Sequence, residues 1–132
     1  MKFHKDLKVY GDLSYRNKND FSENTHVQGF VNQVRKKMPH ALITHIKNEG
    51  KRTKLQSDFD KSMGLTKGFC DIIILGNPVF CLEMKKADHT LSKWGDGQEE
   101  FLLNAQAAGC FSVLALGANA ALIAFEDWLT LQ

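Results

Sequence analysis

Two short apolar segments with a turn between them constrain this sequence more than any other feature. Residues 71–75 and 79–84 are both strand-like, and Gly76-Asn77-Pro78 separates them. Two β-prone runs joined by three turn residues are typical of a β-hairpin. With the central asparagine at the middle of the loop, Asp71 lies directly opposite Glu83.

The predicted hairpin therefore places two carboxylates side by side. Directly opposed residues of an antiparallel pair have Cβ atoms about 4.5–5.5 Å apart, and like charges there repel. Lys85 follows Glu83 by two residues, so it points to the same face. One lysine does not neutralise two acids, whereas a hard divalent cation such as Mg²⁺ does, and it keeps coordination positions for water and phosphate. The alternative is structural: Asp71 caps its strand, and Glu83 forms a surface pair with Lys85.

A helix that begins after Ser22 carries a further acid. Apolar residues recur at steps of three and four from Val27 onwards, and Glu23 continues that stripe rather than the solvent-facing side. An acid on the buried side needs a partner, although a glutamate in the first turn also interacts favourably with the helix dipole. Gln98 similarly opens a predicted helix over residues 98–108 on its inward face.

The remaining patterns predict an α/β fold. Strands that are apolar on both faces indicate a mixed central sheet flanked by helices on both faces. The predicted elements are a helix at 23–38, a strand at 41–46, a short helix or loop at 51–63, the hairpin, the helix at 98–108, a strand at 111–116, and a helix capped by Asn119 and ending near 130.

A chain of 132 residues fits one domain. Residues 1–21 are rich in polar and turn-forming side chains, so we expect an extended arm or a loosely attached lead-in there, followed by a domain over residues 22–132.

Charge is divided unevenly along the chain. Residues 1–67 contain 14 basic and 7 acidic side chains, a net charge of +7, whereas residues 68–132 contain 3 and 8, a net charge of −5. A basic front half favours a polyanionic partner that is held through its phosphates. Solvated surface charge that is unevenly spread is the alternative. The candidate nucleic-acid-binding residues are Lys47, Lys51, Arg52, Lys54, Lys61 and Lys67.

Other features disfavour several classes of protein. The uncharged stretch at 101–125 is interrupted by Asn and Gly residues, so each piece is too short to span a membrane. The three cysteines lack zinc-site spacing and the five histidines lack paired spacing, which disfavours zinc and histidine-metal chemistry. Widely spaced cysteines and the absence of an apolar leader favour an intracellular, cytoplasmic protein.

Asp71, eleven intervening residues and then Glu83-Met84-Lys85 resemble the D…ExK signature of the PD-(D/E)xK nuclease superfamily. The pattern is most similar to the virus-type replication and repair nuclease domain, VRR-NUC, and the resemblance runs from about residue 22 to 129. One residue departs from the family pattern, because Cys70 occupies the position of a proline. The other matching residues are Glu23, Gln28, Asn48-Glu49-Gly50, Gly64, Gly68-Phe69, Leu91-Ser92 and Gln98.

The resemblance implies a restriction-endonuclease-like core and a DNA endonuclease that is selective for branched, flap or Holliday-junction-like DNA, with a role in DNA repair. Asp71, Glu83 and the Met84 carbonyl would bind Mg²⁺, for which Mn²⁺ can substitute, and Glu23 would reach the metal directly or through water. Lys85 would orient and help to deprotonate the attacking water.

By the same resemblance, Gln98 would position Lys85 or that water. The protein would form a homodimer. A phage-encoded origin is compatible with the virus-type family. The alternative function is a catalytically inactive nuclease-fold module that binds only DNA or a protein. A sequence-specific restriction enzyme is disfavoured because 132 residues leave no room for a recognition insertion.

Overall fold

A computed structural model describes residues 1–47 and 53–132, and it contains the predicted elements in the predicted order together with an additional strand and a 3₁₀ turn. The elements are β1 (Val9–Tyr10), α1 (Glu23–Lys37), β2 (Ile43–His45), α2 (Lys54–Ser62), β3 (Ile72–Ile74), β4 (Phe80–Lys85), a 3₁₀ turn (His89–Leu91), α3 (Gln98–Ala107), β5 (Phe111–Leu116) and α4 (Ala118–Leu129).

The strands form one mixed sheet in the order β1-β5-β4-β3-β2. The pairs β1–β5 and β5–β4 are parallel, while β4–β3 and β3–β2 are antiparallel. Phe30 of α1 and Phe125 of α4 pack on one face of β4, and Leu102 of α3 packs on the other. All six residues of β4 are buried as a result. The predicted α/β architecture, with helices on both faces, is confirmed.

The hairpin has the predicted register. Ile73 pairs with Cys81, and Ile74 pairs with Phe80. The strand β3 begins at Ile72, so Asp71 stands one position before it and opposite Glu83. The alternating direction of strand side chains therefore brings both acids to one face.

The amino-terminal arm is attached more firmly than its composition predicts. Its residues Val9–Tyr10 add a parallel edge strand beside β5. The Trp94 indole donates a hydrogen bond to the Lys2 carbonyl at 2.9 Å, and the Asn17 amide donates to Asp88 Oδ2 at 2.8 Å. These contacts show that the expectation of loose attachment is wrong. The sequence does not reveal β1, because a two-residue strand is too short to show any periodicity.

The predicted cap of the last helix is also wrong. The helix α4 begins at Ala118, so Asn119 lies inside it, and Gly117 occupies the cap position with φ of 91°. The Ala118 N–H donates to Nδ1 of His26 at 3.0 Å. A histidine from α1 thus satisfies a helix-end N–H that the sequence assigns to a local side chain.

Of the short helix or loop predicted at 51–63, the helix is confirmed as α2, which Thr53 and Gln56 begin with a capping box. It has no buried residue, and the side chains of Leu55, Phe59 and Met63 are 82%, 64% and 73% exposed. Of the helices in residues 1–47 and 53–132, none combines the length and apolar character needed to cross a membrane.

Candidate active site

Asp71 and Glu83 meet at the open end of the hairpin, as the sequence predicts. Asp71 Oδ2 accepts a hydrogen bond from the Met84 amide at 2.8 Å, and burial, together with the nearby Asp71 charge, raises the pKa of Glu83. Glu83 is only 1% exposed. Its Oε2 is buried without a hydrogen-bond partner among the described residues. A buried carboxylate oxygen of this kind needs a cation or a proton.

The pKa values of Asp71 and Glu83 are both raised. Burial raises the pKa of Glu83 to about 9, and the neighbouring Asp71 charge adds to the rise against the opposing effect of Lys85. Burial also raises the pKa of Asp71, although the Met84 amide favours its charged form. At neutral pH and without a metal, Glu83 therefore holds a proton.

Lys85 is held by two neutral acceptors beside the carboxylates. Its Nζ donates to the Lys93 carbonyl and to Gln98 Oε1, both at 2.9 Å. The same Nζ lies 3.6 Å from Glu23 Oε1 and 3.8 Å from Glu83 Oε1. The side chain of Lys85 is 5% exposed. Its ammonium group is fixed in direction before any substrate arrives.

Two helices bring the remaining candidate residues to this lysine. Glu23 opens α1 directly after the N-cap Ser22, and its side chain is 39% exposed. Gln98 opens α3, and its Oε1 also accepts a hydrogen bond from the Gly95 amide at 2.6 Å. The structure thus brings four of the predicted side chains together, and it shows the fifth, Gln98, in contact with Lys85. The four are Glu23, Asp71, Glu83 and Lys85.

The residues present fit a Mg²⁺ ion as a two-carboxylate site. Among residues 1–47 and 53–132, no group of three or more His, Cys, Asp or Glu side chains is placed to hold a metal. Mg²⁺ commonly takes only one or two protein carboxylates and completes its shell with water and substrate phosphates. Asp71 and the unpaired oxygen of Glu83 match that donor set.

Cys70 occupies the place of the proline in the family pattern without opening the site. Its thiol is buried and donates to the Ile72 carbonyl at 3.4 Å. Cys70, Cys81 and Cys110 are all free thiols.

The predicted nucleic-acid-binding residues within the described part of the chain lie on several elements. Lys47 follows β2 and borders a cavity next to Asp71. Lys54 and Lys61 lie on exposed α2, and Lys67 is paired with Asp96. Lys51 and Arg52, together with the predicted motif at 48–50, lie outside the described residues.

The fold has a counterpart among solved structures. No family model matches the sequence, and no curated protein does. A solved structure described as a VRR_NUC domain protein superposes with a TM-score of 0.68, covering 86% of this chain and 93% of that chain at 18% sequence identity. The chain has the VRR-NUC fold. The likeness confirms the fold that the D…ExK residues predict, while the chemical roles of those residues stay predictions.

Sequence reasoning missed two groups that the VRR-NUC fold brings to the site. His45 lies at the end of β2, and its Nδ1 is 2.9 Å from the Asp71 carbonyl oxygen. The Lys93 carbonyl binds Lys85 from a segment without regular structure. A lone histidine and a backbone carbonyl leave no pattern in a sequence, because both contacts depend on tertiary structure.

Proposed function

We propose that this protein is a metal-dependent DNA endonuclease that hydrolyses phosphodiester bonds in branched, flapped or otherwise distorted DNA. One observation supports it most strongly: the buried carboxyl group of Glu83, with an unpaired oxygen, lies beside the half-buried Asp71 and an oriented Lys85. The VRR-NUC fold supports the same conclusion. A buried carboxyl group next to a second acid is costly unless a proton or a cation neutralises it.

In this proposal Asp71, Glu83 and the Met84 carbonyl hold Mg²⁺ or Mn²⁺, and Glu23 contacts the metal directly or through water. When bound, the ion lowers the pKa of its water and neutralises charge on the scissile phosphate. The pair of acids supplies one position on each strand of the hairpin, so the rigid sheet sets their separation.

Lys85 acts on the water and then on the phosphate. An ammonium group has three N–H donors, and the contacts with Lys93 and Gln98 use two of them. The third is available to orient the attacking water or to bind a phosphate oxygen as negative charge grows there. Gln98 is a positioning residue in this scheme, because its amide oxygen fixes the direction of the lysine.

Substrate binding rests on charge rather than on base recognition. Lys47 borders a cavity that Asp71 also lines, Lys54 and Lys61 are exposed on α2, and lysine contacts phosphate as a point charge. Such contacts track the DNA backbone, so we propose that the path of the strands selects the substrate. We propose the same role for Lys51, Arg52 and Lys67.

Cleavage of three DNA forms tests the proposal. We expect the wild-type protein with Mg²⁺ to cut flap and four-way DNA at least about tenfold faster than linear duplex of the same sequence, a difference of about 1.4 kcal/mol. EDTA should stop all cleavage, and Mn²⁺ should restore it. Equal rates on the three forms would remove the structural selectivity, and cleavage that persists in EDTA would remove the metal.

A DNA-binding module without catalysis is the second candidate. Binding of flap DNA without cleavage in either metal would support this alternative.

A homodimer is also part of the proposal. An exposed apolar stripe supports it, formed by Leu55 and Phe59 of α2 and by the C-cap residue Met63. Exposed apolar side chains that cluster mark contact surfaces. We expect Phe59→Glu to shift the protein towards monomers by an order of magnitude or more in Kd, because it places a charge in an apolar contact. Sedimentation velocity measures the shift, with exposed Leu13→Glu as the control. A wild-type monomer at high concentration would contradict the dimer. Cytoplasmic location and phage origin stay predictions.

A further inference from the structure

The ammonium group of Lys85 is held by a short segment of the chain that lies between the 3₁₀ turn and α3. Its two acceptors at 2.9 Å are the Lys93 carbonyl and Gln98 Oε1, and both belong to residues 92–98. The direction of the ammonium group therefore depends on where this 92–98 segment lies.

The 92–98 segment is fixed at its two ends. The Lys86 amide donates a hydrogen bond to Ser92 Oγ at 3.0 Å, and the last residue of the segment is the first of α3. The residues between these ends, Lys93 among them, are in neither helix nor strand. Their position needs a further contact, because no ladder or helix holds their backbone.

The amino-terminal arm supplies that contact. The Trp94 indole N–H donates to the Lys2 carbonyl at 2.9 Å, and the His4 amide donates to Glu99 Oε2 at 3.0 Å, directly after the segment. Phe3 lies between the two arm residues and packs against the apolar cluster under α3. Three consecutive residues of the arm thus hold the segment and the start of α3.

One peptide group connects this anchor to the lysine. The Lys93 carbonyl and the nitrogen and Cα of Trp94 belong to the same planar unit. When the Lys2 carbonyl holds the indole, that plane has less freedom to rotate, so its oxygen stays directed at Lys85 Nζ. The Trp94 ring centre is also 6.0 Å from Lys85 Nζ, which is the outer limit of a cation–π contact. The carbonyl is therefore the stronger of the two connections.

We infer that the amino-terminal arm orients Lys85 through Trp94, which makes Trp94 a positioning residue of the active site. The effect on DNA cleavage rests on the proposed nuclease function, whereas the effect on the lysine does not. An arm that only covers apolar surface is the alternative. Its loss would lower stability and leave the ammonium group as it is.

The chemical reactivity of Lys85 tests the inference without DNA or metal. The full chain is treated briefly with acetic anhydride, and mass spectrometry measures acetylation of Lys85 relative to the exposed Lys36. Trp94→Phe keeps an aromatic ring and removes the N–H donor. We expect this variant to raise acetylation of Lys85, whose side chain is 5% exposed, about fivefold. The loss of one neutral hydrogen bond gives a factor of that size.

A second variant changes the arm and leaves the tryptophan intact. The Phe3 ring packs edge-on against the His89 ring, with centroids 5.4 Å apart, and so holds the arm beside Lys2. Phe3→Ala should raise acetylation of Lys85 as well. The double variant Phe3→Ala/Trp94→Phe should show no more than the larger single effect, since both changes release one contact.

Trp128→Phe is the matched control. The Trp128 indole donates to the Pro78 carbonyl at 2.7 Å, and the residue belongs to the apolar cluster on the other face of the sheet. This variant loses the same kind of hydrogen bond, so it should lower Tm at least as much as Trp94→Phe and leave acetylation of Lys85 unchanged. Circular dichroism checks that each variant is folded.

DNA cleavage connects the orientation of Lys85 to the rate. In Trp94→Phe we expect kcat on flap DNA with Mg²⁺ to fall about fivefold while KM stays nearly constant, because the indole is directed at the arm. Wild-type acetylation of Lys85 in Trp94→Phe or in Phe3→Ala overturns the inference. An equal rise in Trp128→Phe, or a wild-type kcat in Trp94→Phe, also overturns it. If acetylation rises as expected but the wild-type protein cuts no DNA with either metal, the role of the arm is upheld and the proposed function fails.

Discussion

Substitution of Lys85 by Met is expected to lower the rate of DNA cleavage about a thousandfold while DNA affinity changes little. The Met side chain keeps the apolar stem of the lysine and removes only its ammonium group, which is hydrogen-bonded to Lys93 and Gln98 and faces the carboxylates. Removing one preoriented electrostatic group usually costs about 10²–10³ in kcat, and removing a proton-transfer group costs about 10²–10⁴. Single-turnover cleavage measures the rate, and anisotropy measures affinity.

Matched variants make this expectation specific. Lys5→Met removes an exposed lysine of the arm and should leave the rate unchanged. Asp71→Ala should lower cleavage at least as much as Lys85→Met, because it removes a proposed metal ligand. Circular dichroism checks that each variant is folded. If Asp71→Ala and Lys85→Met both cut DNA at the wild-type rate, the assignment of the active site is wrong.

Substitution of Glu83 by Gln is expected to stabilise the metal-free protein and to abolish cleavage. Burial first, and then repulsion by Asp71, raise the pKa of Glu83 from about 4.5 to about 9. Between these values the folded protein keeps a proton that the unfolded chain releases. The contribution of this group to stability is therefore complete below pH 4.5 and is lost as the pH rises towards 9, by at most about 1.4 kcal/mol per pH unit.

Thermal unfolding in EDTA between pH 5 and 9 measures this effect. The gain in Tm of Glu83→Gln over the wild type should grow with pH, since the amide has no proton to lose. Added Mg²⁺ or Mn²⁺ should raise the Tm of the wild type and leave that of the variant unchanged. At a metal concentration of a hundred times Kd, the free energy of unfolding of the wild type should increase by about 2.7 kcal/mol. A gain that is independent of pH would mean that Glu83 does not hold a proton in the folded state. The control is Glu126→Gln, an exposed acid on α4.

The central part of the fold is predictable from local patterns. The hairpin symmetry about Asn77 gives the opposition of Asp71 and Glu83, because each strand has a period of two and the loop fixes the register. The bounds of β5 are those predicted. The bounds of α1 differ from the prediction by only one residue, because its apolar stripe and N-cap are strong local signals.

Contacts between distant segments are the part that the sequence does not reveal. The cap of α4 comes from His26, so the nearby Asn119 is a misleading local signal. The contact of His45 with Asp71 needs β2 beside β3. The arm joins through β1, which is two residues long. In each case a tertiary neighbour satisfies a polar group for which the local sequence offers another solution.

The edge strand β1 also affects the order in which the molecule is completed during synthesis. Val9 pairs with Leu114, so the first strand of the chain has no neighbour until most of the polypeptide has left the ribosome. The same amino-terminal segment binds Trp94, next to the residue whose carbonyl holds Lys85. Closure of such a distant pair is slow compared with formation of the hairpin. A nascent chain is therefore expected to bring Asp71 and Glu83 together early and to complete the surroundings of Lys85 last.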